Sequence, residues 1–526
     1  MSTFLWLITV LLAVGVYRVL QIGKRDPRMP KGPPTIPILG NAHLVPPEGL
    51  FKQFRSWAKE YGPVFSLKFG PSNMIVLCDR KAIHALLDKK SNIYSDRPHT
   101  YVGQLLTKGD MIALEQMDDH WRLKRKVVAH NFSPKQLDEK HFKVQEAEAT
   151  MLMADLLNDP KGFYNHIRRY TASVASVLIF GSRGATFDSF WAHGVYDVMS
   201  KWTEAMEPGA NPPVDEYPLL QWVPLWLAPW KRRAILAGQT MDKVWGEAVN
   251  RVQKRRAHGL RRDCITDTLL DEWKDGMPIS QHSFNNLVGE LVEGAADTTA
   301  AQLLTLVMAF AKNPRVQKRA QEEIDKVCGT ERFPLWSDFK DIPYINAIVK
   351  EGMRWRPVAV TGSPHRVRED DYYQGMLIPK DSTIIVPVWA LHHGDEFDDE
   401  NEFRPERYMG HSKLANDYAG SPDWANRDHY GYGAGRRICP GMHFAERNMW
   451  RVTAKLLWAF EFAEPLDPKT GKVISLDPDA YNRGILQAPL PYNVQVTPRS
   501  PQHVQTIKRE IAAAKEFLKP WEELKD

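Results

Sequence analysis

One ten-residue stretch constrains this chain more than any other. Tyr432 to Gly441, YGAGRRICPG, sets a cysteine in a glycine-rich loop just ahead of Met442 to Phe460, a segment with helical period. Gly433, Gly435 and Gly441 let the backbone fold tightly and approach a large flat group. A helix N-terminus carries partial positive charge, and together with Arg436 and Arg437 it is expected to lower the pKa of Cys439. A buried packing thiol, a nucleophile and a thiolate ligand to iron or zinc are the candidates, and these neighbours favour a stabilised thiolate. A phosphate cradle is set aside, because the glycine spacing is not that of the dinucleotide fingerprint and no P-loop lysine or preceding strand accompanies it.

The other cysteines, Cys78, Cys264 and Cys328, are too widely spaced for a zinc cluster or a disulfide framework, which points to a reducing compartment. With 526 residues the chain can bury a large core, as one big domain or two closely fused ones. A formal charge of +5 is small for this length and argues against nucleic acid as a partner.

Phe4 to Tyr17, FLWLITVLLAVGVY, is continuously apolar, and continuing to Ile22 gives 19 residues. As a helix these span roughly 28 Å, close to the hydrocarbon thickness, with Arg18 able to snorkel. Arg18, Lys24, Arg25, Arg28 and Lys31 all follow the run, as in an uncleaved anchor with the body in the cytosol; a cleaved signal peptide wants basic residues in front. The sequon at Asn131 is then expected to stay unmodified. Five prolines from Pro27 to Pro37 make a stiff lead from the membrane. The expected division is an anchor over residues 1–23, a proline-rich hinge over 24–50, the main domain over 51–498 and a C-terminal helical extension over 499–526.

Helical periods dominate from Phe51 to Asp271, and VFSLKF and MIVLC carry the residue types of strands. A helix of about 30 residues is predicted from Ser283 to Lys312, ending at Asn313-Pro314 and long enough to cross a domain. Short strands are expected around DYYQGMLIP and STIIVPV. The fold class is therefore mainly α with a minor β part.

The cysteine loop resembles the haem-binding loop of the cytochrome P450 family of haem-thiolate monooxygenases. The family pattern of an aromatic, two residues, Gly, any, Arg, any, Cys, any, Gly falls on Tyr432, Gly435, Arg437, Cys439 and Gly441, with tyrosine where phenylalanine is usual. The resemblance implies a large helical domain with a long central helix, a small β-rich domain, and haem b ligated by Cys439, a thiolate ligand that favours O–O cleavage. It also implies electrons from NADPH through a flavin-bearing reductase. It assigns Glu351 and Arg354 of EGMR, with Arg407 of FRPERY, to a structural ion network, and Asp297 and Thr298 of GAADTT to proton delivery. Ala295 stands where the family usually has glycine. Trp121, Arg125, His365, Arg437 and Arg97 are similar in position to residues that meet the haem propionates. Arg122, Lys124 and Lys126 would then face outwards, a basic patch suited to an acidic electron donor.

PKGPPTIPILGN, Lys340 to Glu351 and the region near Pro498 look most like fungal microsomal members that oxidise secondary metabolites, which implies an endoplasmic reticulum membrane. Family analogy has the 99–117 loop, Val358 to Ser363 and Gly484 to Leu486 line a pocket for an apolar molecule, aromatic ones included. Trp222, Trp226 and Trp230, interleaved with prolines and followed by Lys231 to Arg233, suit a second contact with the bilayer. His392 and His393 read as neighbours on a strand, pointing to opposite faces and not to a metal. Two other readings stay in view: a haem-thiolate isomerase or dehydratase that needs no electrons, and a non-catalytic haem sensor.

Overall fold

In the computed structural model, which describes residues 2–523, the apolar run forms a helix, Ser2–Gln21, whose large apolar side chains from Phe4 onwards are exposed. Among the described residues it is one of two helices long and apolar enough to cross a bilayer; the other, Gln281–Lys312, is buried in the body. Exposure separates them, and the first fits a membrane anchor. The proline-rich segment lies along a strand. Arg25 donates to Gly32 O and Pro33 O, both at 2.9 Å, and to Ser66 O at 3.0 Å.

Four strands make the main sheet: β1 (Val64–Phe69), β2 (Ser72–Leu77), β3 (His365–Arg366) and β6 (Thr383–Ile385), in the order β1-β2-β6-β3. β1 and β2 form a hairpin with Val64 opposite Leu77, β6 joins parallel to β2, and β3 pairs antiparallel to β6. Between β3 and β6, β4 (Asp371–Tyr373) and β5 (Met376–Ile378) form their own hairpin; β7 (Phe460–Ala463) and β8 (Gln495–Pro498) form another. Separate apolar clusters pack on the main sheet, whereas the large core belongs to the helices.

The central helix, Gln281–Lys312, crosses that core over about 48 Å. Ser280 caps it, its side chain accepting from Ser283 N at 3.0 Å, and Pro314 opens the next helix. It packs on helices Phe163–Phe180, Pro229–Ala257 and Met442–Ala459. The C-terminal helix, Pro501–Leu518, lies against Phe142–Asn158, where Ala514 and Leu518 close a small apolar cluster with Met151 and Ala154.

His392 ends a helical turn, Val388–His392, so the strand expected there is corrected: both histidines are buried, His392 accepting from Tyr430 N at 2.9 Å and His393 stacking on Trp389.

Candidate active site

Cys439 sits where the glycine-rich loop runs into the helix Met442–Ala459, its N–H donating to Tyr432 O at 2.8 Å. Gly435, at φ 66°, backs onto the chain so closely that a Cβ would lie 2.4 Å from Leu87 O, and its N–H donates to Asp88 Oδ1 at 2.9 Å. The sequence-based electrostatics need correction. Arg436 points to solvent and Arg437 turns away to the 112–115 backbone; the cation beside the thiol is Arg125, which donates to Ile438 O. Burial pushes the Cys439 thiol up, with the Gly441 N–H and Arg125 acting in the opposite sense.

Arg97, Arg125, Arg437, His365 and Trp121 converge beside this loop. Arg97 donates to Ala113 O at 3.0 Å and Pro364 O at 2.5 Å; Arg437 donates to Glu115 O at 3.0 Å and Ile112 O at 3.1 Å and stacks over the Trp121 ring. None of the three guanidinium groups has a carboxylate partner among the described residues. Burial, and then Arg125, pulls Arg437 down to about 10, and burial with the other two arginines lowers Arg97. His365 is lowered by burial and then by Arg97. The Trp121 Nε1 is buried without a hydrogen-bond partner among the described residues. Buried cations normally have paired anions, so this cluster fits the two carboxylates of a haem, with Cys439 able to offer its sulfur to the iron.

On the central helix, the Thr298 hydroxyl donates to Gly294 O at 2.8 Å, and the helix runs through the site without interruption. Burial raises Asp297 to about 6, with Arg168 opposing. Near the expected pocket segments, Gln487, next to Leu486, donates its N–H to Val358 O at 2.7 Å, and Arg97 joins Ala113 O of the 99–117 loop at 3.0 Å to Ser363 O at 3.4 Å.

Glu351 and Arg354 form a fully buried two-point pair at 2.7 and 2.8 Å. Arg407 approaches Glu351 at 3.6 Å, and Arg354 also donates to His392 O, Glu400 O and Glu402 O. The network therefore clamps the 392–407 segment. Tyr432 buries its hydroxyl without a partner among the described residues.

Two expectations are overturned by packing. Lys124 does not face outwards: it is 0% exposed, bonded to Glu115 and 3.5 Å from Asp110, leaving Arg122 and Lys126 exposed. Asp110, Glu115 and His120 are close enough to hold a metal, but the Lys124 ammonium is the cation among them. Trp230 is 7% exposed and packs on Tyr101, so only Trp222 and Trp226, 84% and 74% exposed, face outwards. Sequence reasoning missed Glu290 and Glu293, buried acids on the central helix; their spacing of three and four from one another and from Asp297, within an apolar run, was the available signal.

Residues 30–496 match the cytochrome P450 family model. Among known proteins, cytochrome P450 monooxygenase patI of Aspergillus clavatus is 43% identical over 498 residues, covering 94% of this chain and 93% of that protein. Cytochrome P450 monooxygenase acuD of Aspergillus aculeatus is 42% identical over 506 residues, 96% of this chain and 95% of its own. Cytochrome P450 monooxygenase atE of Aspergillus terreus is 41% identical over 508 residues, 96% and 94% respectively. The chain belongs to the cytochrome P450 family.

Proposed function

We propose that this protein is a membrane-anchored monooxygenase that inserts one oxygen atom of dioxygen into an apolar small molecule of a secondary-metabolite route, with electrons from NADPH through a flavin-bearing reductase. The observation that carries it is a half-buried cysteine in a loop flanked by three guanidinium groups that lack carboxylate partners among the described residues. The names of its relatives as monooxygenases support the same reading. Haem held by a thiolate supplies the cleavage of the dioxygen O–O bond. Cys439 would ligate the iron; Arg97, Arg125, Arg437, His365 and the Trp121 N–H would bind the propionates. Thr298 and Asp297 form the proton-handling pair, with Asp297 near 6 and so able both to hold and to release a proton close to neutrality. The Glu351, Arg354 and Arg407 network holds the cysteine-loop side together and takes no part in the chemistry.

In this proposal residues 1–23 anchor the protein, 24–50 lead into the catalytic part at 51–498, and 499–526 brace it. The anchor crosses the endoplasmic reticulum membrane once, with the catalytic part cytosolic. Leu219, Trp222 and Trp226, all strongly exposed, make a second contact with the bilayer through which apolar substrate enters. Arg122 and Lys126 contribute to reductase docking.

The test is turnover of purified enzyme with reductase, NADPH and isotopically labelled dioxygen against a panel of apolar metabolites. The expected product carries one labelled oxygen per NADPH consumed, and Cys439→Ala makes none. Product without NADPH consumption would favour an isomerase or dehydratase, and haem without any turnover a sensor.

A further inference from the structure

Glu290, Glu293 and Asp297 are three and four residues apart and share one stripe of the central helix, about one turn from each to the next. Glu290 and Glu293 are 8% and 4% exposed, and neither has an ion-pair partner within 4 Å among the described residues. Acids this deep normally have a cation beside them. Here each is held by a neutral donor: Glu290 accepts from Ile112 N at 2.9 and 3.2 Å, and Glu293 Oε1 accepts from Trp245 Nε1 at 2.7 Å, while Glu293 Oε2 is buried with no partner among the described residues.

At its start the stripe meets a polar cluster that reaches solvent. Lys124 bonds Glu115; His120, partly exposed, lies 3.6 Å from Glu115 Oε1 and 3.1 Å from Ser283 Oγ; and His282 bridges Asp110 and Asp242 at 2.8 and 2.9 Å. At its other end stand Asp297 and Thr298. The groups facing the stripe are Trp245 at Glu293, Lys124 and Glu115 at Glu290, and Arg168, Tyr164 and Tyr196 at Asp297. Burial raises Glu293 to about 7, and burial followed by Glu293 raises Glu290 well above the usual range.

We propose that this stripe is the proton supply of the acid-alcohol pair, and that Glu293 is the positioning residue that recharges Asp297. This rests on the proton-handling role of Asp297 and Thr298 proposed above. Each step is a proton transfer alone: Asp297 releases its proton towards Thr298, Glu293 one helical turn away replaces it, Glu290 recharges Glu293, and solvent recharges Glu290 through the His120 cluster. One proton enters for each delivered, and no electron moves along the stripe.

Glu293→Gln keeps the shape and can still accept from Trp245, but it cannot take up and release a proton. The expected variant binds haem and substrate as the wild type does, is no less stable, and loses about tenfold in product formed per NADPH, with hydrogen peroxide appearing instead. Its NADPH consumption shows a larger solvent deuterium effect, and Glu290→Gln moves both measures the same way. Independently of turnover, infrared titration of the resting enzyme should show a buried carboxylic acid that ionises near neutrality and is missing from Glu293→Gln; absence of that signal in the wild type overturns the proposal. So does wild-type coupling in Glu293→Gln, and if Arg168→Gln uncouples instead, protons enter beside Arg168. Thr298→Ala separates the two levels: if it uncouples while Glu293→Gln does not, the stripe is wrong and the pair stands; if neither uncouples, the pair itself fails.

Discussion

At the scale of single residues, charge is decided by what packs beside a group and not by its neighbours in sequence. Arg436 and Arg437 adjoin the cysteine region in the chain, yet Arg125, from a helix some three hundred residues earlier, is the cation at Cys439. Glu293 shows the same rule with a measurable consequence. Its folded value of about 7 lies above its ordinary 4.5, so the neutral acid favours the fold. That contribution is complete below pH 4.5 and is lost as pH rises through 7. Glu293→Gln should therefore match wild-type stability in acid and exceed it by about 3 kcal/mol above neutrality. Midpoints of thermal unfolding for both proteins across a pH series check this, and a difference that does not vary with pH would contradict it. The acids were visible in the sequence as breaks in an apolar helix, but their burial without cations was not, because that depends on Trp245 and Ile112 arriving from elsewhere.

At the scale of elements, periodicity served well where one helix or hairpin supplies its own pattern. The central helix, the β1-β2 hairpin and the helix after Cys439 lie close to where their sequences put them. It served poorly where side chains of one type divide between core and surface. Lys124 and Trp230 were grouped with exposed neighbours, and both are buried by partners from other segments, Glu115 and Tyr101. The Glu351 to Arg354 pair was legible as one helical turn, but its energetic weight comes from the 392–407 segment folding over it. Removing one partner leaves an uncompensated buried charge, so Glu351→Ala should cost about 3–5 kcal/mol and release that segment. Urea unfolding and hydrogen exchange over 392–407 measure this, and an unchanged exchange pattern would count against the clamp. Replacing Trp222 and Trp226 together with Ser should weaken binding of an anchor-deleted protein to lipid vesicles, read by co-sedimentation, while leaving its fold intact.

At the scale of the whole molecule, the exposed Arg122 and Lys126 are proposed to meet the electron donor. Neutralising Arg122 and Lys126 should slow reduction mainly through the association rate, since exposed charges steer encounters more than they hold complexes. Raised salt should bring the wild type towards the variant, because screening shortens the reach of these charges to about 8 Å at physiological strength and less above it. Stopped-flow reduction across a salt series decides it; a variant reduced at the wild-type rate throughout would place docking elsewhere. The sequence by itself determined the family, the helical character, the apolar N-terminal helix and the position of Cys439. These follow from local residue order: glycine spacing around one thiol, the period of apolar residues and an uninterrupted apolar run. Only the tertiary structure decided which charges are paired, which aromatics are covered and which acids are stranded in the core. Burial and pairing arise between segments far apart in the chain, and no local pattern encodes the partner that will be there.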